Sequence, residues 1–531
     1  MRKVWRVIRW VLGVAVLLIA LLASWIAWRV RDRQRDYELN LFLPRDPAQP
    51  PGTFSVGFGR ASVTPQGWDW VLDRDGNARY EPAKGDTFVD VNGNGRFDPI
   101  YLAGFHNNRP AAGVHDEIEA RAVVLDDGRL RIGLVAVDAI GLMHNDVVEL
   151  RRSLPGRLAI DHLIVHATHN HEVPDLIGIW GRTPFRCGVD PAYRRYVRQQ
   201  ILGALEAAVT GLRPALLSLA QVEAPPELVA DSRRPYVVDR TLRLLIARDA
   251  LDHHTLGTLV FWANHPETLG SRNLLITADF VGYLRHFLEE GISWQGETVA
   301  PGLGGTAVFF NGAIGGLMTP LGTEIEHPFT RERLRENTFA KAEALGLRLA
   351  LLGLEAARKA VPISQPSLFL GARTFRISLE NRYFLLGTVV GVIQRGWSGW
   401  KRMRTEVDLL QIGEVDLLTV PGEIYPEIVI GGVEHPPGAD FDTEPVEVPP
   451  LFELLPGRTH ILVGLANDEI GYIIPRSEWD TKPPYLYGAP ESPYGEVNSV
   501  GPEAGPAVYQ AARQLIEDLQ RWKSSRTQPG T

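Results

Sequence analysis

Cysteine is nearly absent from this sequence. Cys187 is the one cysteine among 531 residues, which excludes an intrachain disulfide framework and a multi-cysteine metal site. The chain also lacks an excess of positive charge: its formal net charge is -8, which gives no reason to expect nucleic acid as a partner. The glycine-rich stretch after Asn311 is not followed by Gly-Lys-Ser/Thr, which excludes a phosphate-binding loop of that type. The remaining composition is that of a folded chain, long enough for one large domain or two medium ones.

Long apolar runs are rare as well, and the exception lies at the N-terminus. The nineteen residues from Trp10 to Trp28 carry no charge. At about 1.5 Å per helical residue they would cross roughly the 30 Å of a bilayer core. Basic residues flank the run on both sides, and Trp10, Trp25 and Trp28 lie where interfacial aromatic residues belong. The pattern predicts an uncleaved signal anchor over residues 1–35, with a cleavable signal peptide ending near Ala23 as the alternative.

This anchor divides the chain into unequal parts. Residues 36–52 are rich in proline and polar side chains, which predicts a linker. Residues 53–525 then form the folded domain, and 526–531 a short tail. With a single transmembrane segment, we expect a membrane-anchored, single-pass protein whose folded domain lies outside the cytoplasm, in the periplasm or the extracellular space.

Strand-like and helix-like segments alternate from Thr53 onwards, which predicts a mixed, layered α/β fold. Glu119–Leu125 and Arg131–Val137 form a predicted hairpin. A short helix separates that hairpin from the strand Leu163–Val165, so we expect a parallel pair with functional groups at the carboxyl ends of its strands. Arg331–Ala360 is predicted to be strongly helical.

A histidine cluster follows the strand Leu163–Val165. His169 and His171 are two residues apart, so on a strand they project to the same face. Two imidazoles on one face suit a divalent transition metal, most often zinc, if other segments supply further ligands. His265 and Glu423 each end another apolar strand and are candidates for that role. Surface histidines at the end of a strand are the alternative.

An acidic loop precedes these strands. Asp90, Asn92 and Asn94 occupy positions 1, 3 and 5 of a run with glycine at position 6, which is the spacing of a calcium loop. Asp98 stands at position 9, but Tyr101 replaces the usual glutamate at position 12. These four oxygen-bearing residues predict a structural calcium site, and plain Asx turns are the alternative.

A second unusual stretch combines apolar, aromatic and basic residues. Tyr383–Ile393 is apolar and is followed by Trp397, Trp400, Lys401, Arg402 and Arg404. Such a mixture fits either a membrane surface or a buried element, and we predict a buried element.

The order of these motifs resembles the neutral/alkaline, non-lysosomal ceramidases, and specifically their N-terminal catalytic domain. The resemblance spans about Phe54 to Tyr509. The matching stretches are Gly57–Thr64, Ala167–His171, Ser232–Pro235, Asn264–Pro266, Asp279 with Gly282-Tyr283, Pro421–Glu423 and Asn467–Tyr472. It implies a mixed layered α/β catalytic domain of the neutral ceramidase type over 53–525. We expect the family's C-terminal immunoglobulin-like domain to be absent, since the sequence ends at Thr531.

The resemblance also implies a ligand set and a reaction. Zinc would be held by His169, His265, Glu423 and Tyr472, and His171 would be a catalytic histidine beside the metal. Water activated by the metal, with a pKa lowered towards 7, would attack the amide bond of ceramide or a related N-acyl lipid. His171 would pass protons to the leaving amine.

Three further residues receive roles from the same resemblance. Arg233 would orient the substrate or stabilise the oxyanion, and Tyr494 would hydrogen-bond the polar head, although each residue also fits a packed core. The family's Gly-Asp-Val-Ser-Pro is replaced by Gly315–Pro320, which leaves Thr319 as the hydroxyl in place of the family's serine. The family's His-Ser-Gly-Pro-Gly is replaced by His171–Asp175, and we expect this to change the lining and charge of the pocket.

These observations predict a membrane-anchored hydrolase of linear amides that uses zinc, with calcium in a structural role, and that takes a lipid as substrate. A zinc hydrolase of a different amide or ester is one alternative. A non-catalytic, lipid-binding relative that keeps the metal is another. The altered stretch around Thr319 keeps both alternatives open. The sequence predicts no particular oligomeric state.

Overall fold

The computed structural model describes residues 2–527, in which ten α-helices and 26 strands alternate. The helices are α1 (Arg2–Arg29), α2 (His144–Arg152), α3 (Pro191–Thr210), α4 (Asp279–Glu290), α5 (Phe339–Ala357), α6 (Arg382–Val390), α7 (Pro426–Ile430), α8 (Leu451–Leu454), α9 (Tyr494–Val497) and α10 (Ala504–Thr527). The predicted tail begins inside the last turns of α10, and its residues 528–531 lie outside the described part of the chain.

The strands include several of only two residues. They are β1 (Asn40–Leu43), β2 (Ser55–Ser62), β3 (Trp70–Leu72), β4 (Thr87–Val89), β5 (Gly113–Val114), β6 (Glu119–Asp126), β7 (Arg131–Val137), β8 (His162–Ala167), β9 (Arg213–Glu223), β10 (Ala230–Asp231), β11 (Thr241–Asp249), β12 (Thr255–Trp262), β13 (Leu275–Ile276), β14 (Gly291–Trp294), β15 (Glu297–Pro301), β16 (Thr306–Asn311), β17 (Met318–Thr319), β18 (Ile325–Glu326), β19 (Arg333–Leu334), β20 (Val361–Pro362), β21 (Leu368–Ser378), β22 (Arg402–Ile412), β23 (Val415–Thr419), β24 (Glu423–Ile424), β25 (Thr459–Val463) and β26 (Tyr472–Ile473).

Two large sheets form the centre of the molecule. The nine-stranded sheet has the order β16-β12-β11-β9-β2-β6-β7-β8, with β20 paired to β9. The five-stranded sheet has the order β1-β21-β22-β23-β25. The pairs β7–β8, β12–β16 and β23–β25 are parallel, and the predicted hairpin of β6 and β7 is confirmed with Asp126 opposite Arg131. The larger sheet curls so far that β16 also contacts β8 at its other end.

Side-chain alternation along the strands builds the layers. Leu134 of β7 points into the core between the two sheets, whereas the next residue, Val135, packs with α3 on the outer side. In β22, Leu410 faces the same inter-sheet core and Leu409 packs with α10. Each such buried aliphatic side chain contributes about 1.5–3 kcal/mol to folding. The result is a helix–sheet–sheet–helix arrangement, so the predicted layered α/β fold is confirmed.

The glycine pair in the opening motif has a packing role. A Cβ at Gly59 would lie 2.2 Å from the carbonyl oxygen of Ala204, and one at Gly57 would lie 2.0 Å from that of Ala208. Both carbonyls belong to α3, so this helix rests directly on the backbone of β2. Any larger residue at either glycine would push the helix away.

The prediction of a linker over 36–52 is wrong, because Asn40–Leu43 is an edge strand of the five-stranded sheet, with Asn40 opposite Arg373. The approach to this strand is also held in place. Buried Arg404 pairs with Asp32 at 3.0 Å and Glu38 at 3.3 Å. The short apolar run in β1 therefore outweighs the proline and polar residues around it.

The predicted helix Arg331–Ala360 begins later than expected, at Phe339. The side chain of Thr338 accepts a hydrogen bond from the backbone N–H of Lys341 and so caps the helix. Residues Arg333–Leu334 pair instead with Ile325–Glu326 in a short hairpin.

Helix α1 is the candidate membrane segment. Within Lys3–Arg29, an 18-residue stretch has a mean hydropathy of 2.5, and none of that stretch is buried. A signal sequence has the same length and composition, so membrane anchoring stays a prediction.

Candidate metal centre

The predicted metal ligands all follow strands of the two sheets. His169 lies two residues after β8 and His265 three residues after β12, and both strands belong to the larger sheet. Glu423 and Tyr472 begin the short strands β24 and β26, which follow β23 and β25 of the smaller sheet. Because β8, β12, β23 and β25 each have a parallel neighbour, their carboxyl ends provide the loop-rich edge at which functional groups gather.

His166 joins these strand ends. Its Nδ1 lies 2.9 Å from the carbonyl oxygen of Gly464, and its Nε2 accepts a hydrogen bond of 3.0 Å from the backbone N–H of Asn311. Burial lowers the pKa of His166 to about 3, so the ring is neutral and both contacts are satisfied by one tautomer. His166 therefore connects β8, β16 and the segment after β25, with both of its nitrogens in use.

His169 and His265 are oriented by backbone carbonyls. Nδ1 of His169 lies 2.7 Å from the oxygen of Ile140, and Nδ1 of His265 lies 2.6 Å from that of Met318. A carbonyl oxygen only accepts hydrogen bonds, so both Nδ1 atoms carry a proton and both Nε2 atoms remain for a ligand role. These Nε2 atoms lie 3.4 Å and 3.1 Å from the same carboxylate oxygen, Oε2 of Glu423.

Glu423 has a third neighbour in Tyr472, which is its direct partner in the ladder of β24 and β26. Burial, reinforced by the charge of Glu423, raises the pKa of Tyr472 well above its ordinary value. Burial would also raise the pKa of Glu423, but His169 and His265 outweigh it and hold that pKa well below the usual range. The four predicted ligands therefore meet at one point.

His171 lies beside this point. Its ligand atoms and those of His169 and His265 all fall within 4.8 Å of one another. Both ring nitrogens of His171 are buried without a hydrogen-bond partner among the described residues, and Nδ1 lies 3.2 Å from Oε2 of Glu267. Burial, reinforced by the two neighbouring histidines, lowers the pKa of His171 well below its ordinary value, so the ring is neutral at physiological pH.

The donor set fits a divalent transition metal. Two imidazole nitrogens with fixed tautomers, one carboxylate and one phenol are ligands that zinc accepts. Buried polar atoms normally have partners, and the unpartnered nitrogens of His171 mark the same point.

A cavity of about 450 Å³ opens onto this cluster. Its wall contains His169, His171, His265, Glu423 and Tyr472. Most of the remaining wall is apolar and includes Phe105, Ile140, Met143, Ile177, Trp180, Leu317, Leu379, Phe384, Ile393 and Met403. Tyr494 also borders the cavity, and because 60% of it is exposed, it lies at the mouth.

Thr319 and Arg233 are placed differently from the other predicted residues. The hydroxyl of Thr319 donates a hydrogen bond to the carboxylate of Glu267. Thr319 therefore contacts a residue of the cavity wall but does not line the cavity itself. Arg233 pairs with Glu496 at 2.8 Å and donates to the hydroxyl of Tyr425 at 2.7 Å. It borders a neighbouring groove rather than the cavity, so the structure does not bring it to the candidate ligands.

The stretch after His171 does not line the cavity, contrary to expectation. Glu172 is fully buried and pairs with buried Arg109 at 2.6 Å. The carboxylate of Asp175 accepts hydrogen bonds from the backbone N–H groups of Ile177 and Gly178. The carboxylates of Glu172 and Asp175 thus stabilise the loop that carries His171, and neither one changes the charge of the pocket.

Two carboxylates in the cavity wall were not predicted from the sequence. Glu267 stands two residues after His265, and Glu469 lies inside the stretch Asn467–Tyr472. Burial raises the pKa of Glu267, and burial with the charge of Glu423 raises that of Glu469 well above its ordinary value. The sequence held one signal for both carboxylates, since each lies two or three positions from a predicted metal ligand.

The predicted calcium residues lie on an exposed loop. The carboxylate of Asp90 accepts hydrogen bonds from the backbone N–H groups of Gly93, Asn94 and Gly95, and the amide of Asn94 donates to Asp98 at 2.7 Å. Asn92 lies in the same turn. In the preceding loop, carboxylate oxygens of Asp73, Asp75 and Asp86 lie within 4.8 Å of one another. The calcium site stays a prediction.

No protein-family model matches the chain. Two solved structures resemble it in fold. A neutral ceramidase from Pseudomonas aeruginosa superposes with a TM-score of 0.59 and 17% identity, over 88% of this chain and 75% of that one. A ceramidase complexed with C2 gives a TM-score of 0.60 and 15% identity, over 88% and 76% of the two chains. The chain therefore has the mixed α/β fold of the neutral ceramidases, as its motifs predicted.

Proposed function

We propose that the protein is a zinc-dependent hydrolase that cleaves the amide bond of ceramide or a related N-acyl lipid. The observation that carries this proposal is the meeting of His169, His265 and Glu423 on the wall of an apolar cavity. These residues, with Tyr472, would hold the zinc. The likeness in fold supports the same activity but does not carry it, because one fold hosts many functions.

Zinc at such a site polarises a carbonyl group and lowers the pKa of water. The chain's own residues supply the proton transfer. His171 is neutral, so it can accept a proton and then donate it to the leaving amine. The carboxylate of Glu267 lies close to this ring, 3.2 Å from Nδ1. Tyr494, at the mouth, would hydrogen-bond a polar head group.

The apolar wall favours a substrate with a hydrocarbon chain. Transfer of a methylene group from water to such a wall is worth about 0.8 kcal/mol, so an acyl chain of ordinary length supplies most of the binding free energy. Ceramide combines such a chain with a single amide. The two structural neighbours described as ceramidases support this choice of substrate.

A second candidate is a zinc hydrolase of another N-acyl compound or an ester. Two contacts favour it. Thr319 is bonded to Glu267 rather than free, and Arg233 is paired with Glu496, so neither offers a free polar group to a sphingoid head.

These proposals are tested by measuring the turnover of substrate by the full-length chain in detergent. We expect release of label from a short-chain fluorescent ceramide, and loss of at least about 100-fold with Glu423→Gln, which removes a ligand charge. Glu297→Gln, on an exposed strand, is the matched control. Cleavage of N-acyl amino acids or esters but not ceramide would establish the second candidate. Absence of turnover with zinc fully bound would indicate a lipid-binding protein instead.

We also propose that α1 anchors the protein in a membrane with the folded domain outside the cytoplasm. The length and composition of Lys3–Arg29 support this. Mass spectrometry of the mature N-terminus and protease protection in cells test it. Cleavage near Ala23, or protection of the domain by the intact inner or plasma membrane, would contradict the proposal.

A further inference from the structure

We propose that the outer side of α6 and the loop after it form a docking surface for an anionic bilayer, which sets the cavity mouth against the lipid head groups. This surface, called the α6 face, consists of Tyr383, Leu386, Trp400, Lys401 and Arg402. This proposal rests on the proposed function in two respects: α1 anchors the protein in a membrane, and the substrate is a lipid.

The α6 face exposes large apolar side chains next to basic ones. Tyr383 is 54% exposed, Leu386 49% and Trp400 80%, whereas a buried element was expected from the sequence. Tyr383 and Leu386 are three residues apart on α6, so they lie on one side of the helix. Lys401 and Arg402 are exposed beside Trp400, and the Lys401 ammonium lies 5.9 Å from the Trp400 ring centroid.

This surface is continuous with the end of the candidate membrane helix. The backbone N–H of Trp397 donates to the carbonyl of Val30 at 2.8 Å, one residue beyond α1. At the C-terminus of α6, a Cβ on Gly391 would lie 2.5 Å from Nη1 of Arg29, the last residue of α1. Both α6 and the loop 396–401 therefore abut the point at which α1 would leave the bilayer.

The end of α1 has the composition of a head-group region. The guanidinium of Arg29 lies 5.3 Å from the Trp25 ring centroid and that of Arg31 lies 5.1 Å from Trp28. Tryptophan with adjacent arginine is typical of the membrane interface, and basic residues there attract anionic lipids. The basic residues of the α6 face extend the same chemistry, which commits the partner to an anionic bilayer.

The same helix forms part of the cavity wall. Phe384 and Thr388, on the inner side of α6, border the cavity. The side-chain amide of Asn381, which caps α6, donates to the carbonyls of Val497 and Ser499 at 2.7 Å and 2.8 Å. This contact joins α6 to α9, which carries Tyr494 at the mouth. A docked α6 therefore brings the mouth to the membrane, and a lipid enters without crossing bulk water.

Fluorescent labels on the full-length chain test the docking. Leu386→Cys and Trp400→Cys, each in a Cys187→Ser background, are labelled with an environment-sensitive dye and reconstituted in nanodiscs of phosphatidylcholine and phosphatidylglycerol. Leu251→Cys is the control, because Leu251 lies in the turn between β11 and β12 and is 88% exposed. We expect a blue shift and quenching by head-group-level spin-labelled lipid at 386 and 400 but not at 251. Labels at 386 and 400 that remain as exposed to water as the control would overturn the proposal.

Turnover provides a second readout. Leu386→Glu with Trp400→Glu should lower cleavage of a bilayer-embedded substrate by about tenfold or more, and leave cleavage of a monodisperse short-chain substrate unchanged. Lys401→Ala with Arg402→Ala should remove any advantage of phosphatidylglycerol over phosphatidylcholine alone. Equal loss on both substrates would overturn lipid delivery by this face. If the parent chain cleaves neither substrate, the proposed function fails, while the labels still decide the docking.

Discussion

Glu423 and Tyr472 are direct partners in the short parallel ladder of β24 and β26, which places a carboxylate beside a phenol. The ladder follows β23 and β25, themselves a parallel pair, so the position of both side chains is set by backbone pairing in the smaller sheet. His169 and His265 arrive from the larger sheet. The candidate centre therefore lies where two independently built sheets meet.

Loss of one imidazole should release the metal. We expect the full-length chain to hold about one equivalent of zinc and His265→Ala to hold less than half, because structural and catalytic zinc sites need three or more protein ligands. Elemental analysis by mass spectrometry measures both. His286→Ala, an exposed histidine on α4, should retain the metal. Less than half an equivalent in the parent, or full zinc in His265→Ala, would contradict the ligand assignment.

Gly104→Ala should separate catalysis from metal binding. Gly104 has a φ of +103°, and a Cβ there would lie 2.6 Å from the ring of His171. We expect turnover to fall by about 100-fold while zinc content is kept, since general acid–base catalysis contributes roughly 10²–10⁴-fold. Gly67→Ala is matched, because it has a φ of +88° and open space around its Cβ. Loss of zinc in Gly104→Ala but not in Gly67→Ala would indicate that His171 is a metal ligand instead.

Asp279→Asn should change how stability depends on pH. Burial raises the pKa of Asp279 to about 6, against 3.8 ordinarily. Unfolding therefore releases a proton between these two values, and stability falls as the pH rises through that window. Asparagine does not ionise, so it carries no cost of burying a carboxylate. The free energy of unfolding of the variant should therefore rise relative to that of the parent by up to about 3 kcal/mol between pH 4 and 7. Denaturant titrations at several pH values measure it. A constant difference would contradict the prediction.

Calcium should raise the melting temperature of the parent chain and not that of Asp90→Ala. At about 100 times its dissociation constant, a ligand of the folded state adds about 2.7 kcal/mol of stability. Differential scanning calorimetry with calcium, magnesium and chelator measures the shift. Asp73→Ala is the companion variant, because its carboxylate lies in the neighbouring acidic group. A shift that survives in Asp90→Ala and disappears in Asp73→Ala would move the ion to that loop.

The sequence predicted which residues follow strand ends better than it predicted what surrounds them. His169, His265 and Glu423 each follow an apolar strand, and this local pattern is visible in one segment at a time. Their convergence depends on the curl of the larger sheet, which brings β16 against β8 and is a long-range property. The motif order of a known family supplied that information instead.

Other errors have the same origin. Whether Glu172 faces the cavity depends on Arg109, and whether Asn40–Leu43 is a strand depends on β21, each far away in the chain. The outer side of α6 was expected to be buried because its composition is apolar. Burial is decided by what packs on a helix, which a single segment does not reveal.

The pairing of Arg404 with Asp32 and Glu38 limits what the protein can reach. With α1 in a bilayer, the stretch from Val30 to β1 has no slack, because one buried guanidinium clamps it at both ends. The domain can neither lift away nor swing towards an apposed membrane. If the proposed anchoring and lipid hydrolysis hold, the protein would work in cis, on molecules that diffuse laterally within its own leaflet, and its supply of substrate would be governed by two-dimensional diffusion.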